Sequence, residues 1–143
     1  MCQMTDTKNS NAKVKSPKDK LKILSFNVEN LLPKLDDPNF IALMNEYEIC
    51  LFTETWLSND DKIGLPQFFD IHFTRSKKLK HGRHSGGISA FIKKELRPGI
   101  KVVSKEEGFV WLKFDKTFFG LNNHLFISAI YLHRVLKVVL AFR

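Results

Sequence analysis

The run ICLF at residues 49–52 is too short for a helix and too apolar for a solvent-facing strand, so it reads as a buried strand. It ends abruptly on Thr53, Glu54 and Thr55, before Trp56 and Leu57 turn apolar again. A carboxylate at the end of a buried strand is costly unless a cation or hydrogen-bond donors meet it. The stretch therefore poses a definite question: what does Glu54 hold?

Upstream, LKILSFNV at 21–28 is apolar on both alternate faces, which predicts a strand covered on two sides, with Asn27 near its carboxyl end. Asp36, Asp37 and Pro38 form a helix start, and Phe40, Ile41, Met44 and Leu43 supply an apolar stripe that runs out near Tyr47. The run at 49–52 then returns parallel to the first strand, giving a strand, helix, strand unit. Asn27 and Glu54 thereby fall at one edge of one sheet, the carboxyl edge where ligands of α/β sheets are favoured.

Beyond a loop at 58–66, the pattern predicts a hairpin of strands at 69–75 and 87–93 around a basic loop, SKKLKHGRH. Further strands follow at 101–104, 109–114 and 125–132, separated by Pro98, Gly99, Gly108, Asn122 and Asn123. The expected fold class is α/β, a mixed sheet that grows increasingly antiparallel, with one or two helices on its outer face. Gly86 and Gly87 read as a hairpin or bulge where backbones approach closely.

At 143 residues the chain has room for one domain with a real core, or for part of a larger one. Its 43% hydrophobic content, with 13 Phe, is too high for a disordered chain, and its mean hydropathy of -0.19 suits a soluble one. Twenty-three Lys and Arg against 15 Asp and Glu leave a net charge of +8, which fits a polyanionic partner. Part of that excess lies in residues 1–20, expected to be a disordered basic arm. Cys2 and Cys50 suggest neither a disulfide partner nor a zinc site. Nothing resembles a signal peptide or a membrane span, so an intracellular protein, nuclear or cytoplasmic and not secreted, with no membrane partner, is expected.

Taken singly, Glu54 reads as a strand-end carboxylate capping a neighbouring backbone or pairing with lysine, and Asn27 as a turn former. Together, an amide and a carboxylate at adjacent strand ends can share one hard divalent cation, because Mg²⁺ takes oxygen ligands and is commonly held by one or two carboxylates plus substrate phosphate. Glu29 could join them if the strand continues.

The blocks ILSFNVENL (23–31), ICLFTETWL (49–57), HSGGISAFI (84–92) and ISAIYL (127–132) resemble, in order and spacing, those of the endonuclease/exonuclease/phosphatase family. They look most like the apurinic-endonuclease-like domain of non-LTR (LINE-type) retrotransposons. The resemblance implies a Mg²⁺- or Mn²⁺-dependent phosphodiesterase acting on DNA, in the N-terminal half of a four-layer α/β/β/α sandwich spanning residues 21–132. It implies Glu54 as metal ligand, Glu29 as a second acidic position at the metal, Asn27 as organiser of the catalytic centre, and Tyr131 as a contact to the scissile phosphate. Without the resemblance Tyr131 is an ordinary sheet tyrosine. Arg83 and His84, with Lys77, Lys78 and Lys80, could steer a phosphate backbone, although a basic loop is commonly only solvated surface.

The family's later Asp-x-Asn and Asp-His blocks have no counterpart, since no Asp or Glu follows Asp115, and His133 has no acidic orienting partner nearby. The expectation is a truncated, catalytically silent domain whose sheet has a bare inward face, prone to self-association through that face. Losing several strands of apolar contact, at about 25 cal/mol per Å², outweighs the net stability of a domain. The tail at 133–143 reads either as translation beyond a frameshift, deletion or unspliced intron, or as a trailing strand pairing with 125–132. Two rival readings are a noncatalytic basic module that binds nucleic acid, and a phospholipid or inositol phosphate phosphodiesterase of the same family.

Overall fold

A computed structural model of the chain describes residues 20–74, 85–106, 108–132 and 135–142. Its elements are β1 (Ile23–Asn27), α1 (Leu31–Leu35), α2 (Pro38–Asn45), β2 (Ile49–Thr53), β3 (Phe68–Phe73), β4 (Ile88–Lys93), a 3-10 segment (Lys94–Gly99), β5 (Ile100–Glu106), β6 (Phe109–Phe114), α3 (Lys116–Phe119), β7 (Leu125–Leu132) and β8 (Val135–Phe142). They form two four-stranded sheets, ordered β1-β2-β4-β3 and β5-β6-β7-β8. The expected strand, helix, strand unit is present: β1 and β2 run parallel, Ile23 opposite Ile49 and Asn27 opposite Thr53. The other ladders are antiparallel.

Local chemistry accounts for α2. Asp37 is its N-cap, accepting from the Asn39 amide at 2.9 Å, with Pro38 in the first turn. Phe40, Ile41 and Met44 pack inward as the stripe requires, whereas Leu43 is 40% exposed and belongs to the solvent side.

Successive residues of β2 face opposite ways, and all five are buried. Cys50 and Phe52 join Phe68, Phe91, Leu31 and Met44 under the helices. Ile49 and Leu51, with Ala90 and Ile92, meet Val110, Leu112, Phe114, Ile127 and Ala129 of the second sheet. Each Val, Leu, Ile, Phe or Met side chain taken fully from water contributes about 1.5–3 kcal/mol, so cover on both faces explains why this run tolerates no polar residue until Thr53.

Two expectations are corrected by this packing. The strands do not form one mixed sheet, because the 3-10 segment turns the chain out of the first sheet before β5 begins. Nor is the inward face of the first sheet bare, since the second sheet lies on it. The described residues make three layers: helices, sheet, sheet. A further correction concerns β1, which is an edge strand rather than a fully covered one; Phe26 is 47% exposed. Of the two readings of the tail, pairing is what forms: β8 runs antiparallel to β7 from Leu125 opposite Phe142 to Leu132 opposite Val135. Among the described residues no helix is long and apolar enough to cross a membrane.

Candidate functional site at the Glu54 edge

Past the ends of β1 and β2 the two segments stay hydrogen-bonded. The Val28, Asn30 and Leu31 amides donate to the carbonyls of Thr53, Glu54 and Thr55 at 3.0, 2.9 and 3.0 Å. The backbone here is unusual. Glu29, Asn30, Glu54 and Trp56, with φ of 44°, 85°, 56° and 55°, are the four non-glycine residues of positive φ among those described. Such residues cost of order 1–3 kcal/mol each and persist where their surroundings hold them. Across the next strand, Trp56 donates its amide to the Gly86 carbonyl at 3.0 Å. Gly87, at φ 89°, lies so close that a Cβ would meet Thr55 Oγ1 at 2.7 Å, which is the close approach expected of the glycine pair.

Glu54 is held by three donors. Its Oε2 accepts from the Trp56 indole N–H at 2.7 Å and from the Gly86 amide at 2.9 Å, and its Oε1 accepts from the Tyr131 hydroxyl. These donors come from its own segment, from the approach to β4, and from β7 in the other sheet. The half-buried charge is thus met by hydrogen bonds, which are stronger for being charge-assisted. Trp56 and Gly86 were not expected as contributors; the nearest signal was their position, two residues after Glu54 and in the glycine pair.

Asn27 is exposed at the end of β1, with its Oδ1 accepting from the Glu29 amide at 3.2 Å. Glu29 meets Asn27 through that amide. Arg83, His84 and the basic loop at 76–84 lie outside the described residues. The structure therefore brings Asn27, Glu54 and Tyr131 to one end of the two sheets, with Glu29 at its margin.

Among the described residues no group of three or more His, Cys, Asp or Glu is placed to hold a metal.

A second constellation has the residue types of a hydrolytic triad. His72 bonds Ser89 Oγ through Nδ1 at 2.8 Å and Asp70 Oδ2 through Nε2 at 2.6 Å. Ser89 is fully buried, so no substrate reaches it, and the trio reads as a satisfied polar link between β3 and β4. Comparison of the chain with protein-family models and with curated proteins gives no match.

Proposed function

We propose that the Glu54 edge is the cation and phosphate grip of a phosphodiesterase of DNA endonuclease type, in the N-terminal half of a four-layer α/β/β/α domain, as the family resemblance implies. One observation carries this reading: Glu54 and Tyr131, 77 residues apart, meet at the end of the sheets where Asn27 and Glu54 leave parallel neighbouring strands. Glu54 and Asn27 would hold Mg²⁺ or Mn²⁺, and Tyr131 would donate to a phosphate oxygen. A divalent cation at this edge supplies stabilisation of charge developing on phosphate. Binding and hydrolysis separate in these residues. Activating water requires a further base, which Asn27, Glu54 and Tyr131 do not supply. On this reading the chain's partner is DNA and its place is inside the cell.

The test is cation binding by Mn²⁺ titration and nicking of supercoiled plasmid in Mg²⁺, with native protein and Glu54→Gln. The expected result is one cation site, lost in the variant, without nicking. Undiminished cation binding in Glu54→Gln overturns the grip, and Mg²⁺-dependent nicking that the substitution abolishes overturns the separation of binding from hydrolysis.

A further inference from the structure

The outer face of the second sheet carries aromatic rings beside unpaired lysines. Val110, Leu112, Phe114, Ile127 and Ala129 point into the core between the sheets. The residues that alternate with them, Phe109, Trp111 and Lys113 on β6 and Phe126, Ser128 and Ile130 on β7, therefore point away from it. Register sets Phe109 opposite Ile130, Trp111 opposite Ser128 and Lys113 opposite Phe126. Ser128 is fully buried although it points outward, its hydroxyl donating to the Val110 carbonyl at 3.0 Å, so its larger neighbours close over it and lie low on the sheet. Phe109, Trp111 and Phe126 are half-buried: they offer contact area without standing clear of the surface.

Beside them lies a charge conflict. Lys101 of β5 is directly opposite Lys113 of β6, and neither has an ion-pair partner among the described residues. Like charges facing each other across a ladder are destabilising, and an anion between them removes the conflict. Glu106 is at the far end of that ladder, opposite Phe109, and Asp115, just past β6, is engaged as the cap of α3.

We infer that this outer face is a binding platform for a single nucleic-acid strand, with unpaired bases stacking on Trp111, Phe126 and Phe109 and the Lys101–Lys113 pair meeting the phosphates. Aromatic rings beside lysines suit this ligand because every base has a π-face and every linkage a negative charge. A duplex keeps its base faces stacked inside and has only its backbone to offer here. A second copy of the chain is disfavoured, since it brings the same lysines against this face. An acidic bilayer is disfavoured because rings that lie low on a sheet do not reach the acyl boundary. No residue of the Glu54 edge takes part.

The test is a fluorescence-anisotropy titration of the full chain with a short labelled oligothymidylate in EDTA, which keeps the proposed cation site silent. A duplex of the same length and phosphatidylserine vesicles serve as competitors. The strand is expected to bind more tightly than either. Trp111→Leu keeps an apolar side chain, loses the stacking surface and should weaken the strand about tenfold. Lys101→Gln combined with Lys113→Gln should reduce the slope of log affinity against log salt by about 1.4, the share of two phosphates in a single strand. A measurement on unsubstituted protein guards against variants that fold poorly. The sequence has two tryptophans, Trp56 and Trp111, and hence two indole N–H resonances. Trp111's should shift with the midpoint of strand binding, while that of Trp56, bonded to Glu54, stays in place. Absence of strand binding at low salt, equal affinity for strand and duplex, preference for the vesicles, or a Trp111 resonance that does not move as the strand saturates overturns the platform.

Discussion

Gly99 and the ring of Phe118 are in such close apposition that a methyl group on Gly99 would fall 2.1 Å from Phe118 Cδ1. This contact joins the end of the 3-10 segment to α3, at the corner where the chain leaves one sheet for the other. Phe118 and Phe119 pack edge to face, with centroids 4.9 Å apart, against the core between the sheets. Gly99→Ala is expected to cost about 1–3 kcal/mol, the usual penalty of overpacking, as a lower urea midpoint. Gly120→Ala provides a contrast in kind, because nothing among the described residues crowds that position and its cost arises from a φ of 64°.

Asp115 caps α3, its Oδ1 accepting from the Phe118 amide at 3.0 Å. That hydrogen bond, foremost among several influences that include His124, holds its pKa below the usual carboxylate value. A depressed folded-state pKa contributes stability that is present above the unfolded value and lost as pH falls through the folded one. The melting temperature should therefore drop on acidification below about pH 4, and Asp115→Asn should remove part of that slope. Thermal melts of both proteins between pH 6 and pH 2.5 check this.

Burial pushes the Cys50 thiol up to about 12, with Lys93 opposing and Glu48 adding to the shift. The sign is that of a raised folded-state pKa: the contribution is complete below the unfolded value of 9.0 and is lost as pH rises towards 12. Alkaline denaturation should be less steep in Cys50→Ala, once corrected for the cavity. Iodoacetamide at pH 8 should leave Cys50 unmodified in native protein and alkylate it in urea, as peptide mass mapping would show.

Thr53 is fully buried and its hydroxyl has no hydrogen-bond partner among the described residues. Leaving such a group unsatisfied costs about 1–3 kcal/mol, whereas an apolar group of similar shape carries no such penalty. Thr53→Val should thus raise stability by about 1 kcal/mol in urea titration. A fall in stability would mean that the hydroxyl is satisfied in solution.

The strands at 49–52, 109–114 and 125–132 were legible because a core face dictates apolar residues at fixed spacing. The elements α1, α3 and the 3-10 segment were not, being four to six residues long, two of them with an internal proline and none with a full helical period. Division into two sheets could not be read from strand patterns alone, because it depends on one corner and on which faces meet. That Asn27 and Glu54 leave neighbouring strand ends was legible from position, whereas nothing in the strand pattern said that Tyr131 would meet Glu54. Trp56 and Gly86 remained hidden because one donates an indole N–H from a residue that a strand pattern reads as merely apolar, and the other acts through its main chain, which leaves no side-chain signature.

The bond between Tyr131 and Glu54 also bears on the order of folding. Its two ends are 77 residues apart, and contacts between distant residues are reached slowly because chain entropy is lost before they form. The strand, helix, strand unit at the N-terminal end can collapse early, yet its carboxylate has no phenol to meet until β7 docks. The Glu54 environment is therefore complete only once β7 has docked, and a nascent chain still short of β7 would carry that glutamate without its partner from the second sheet.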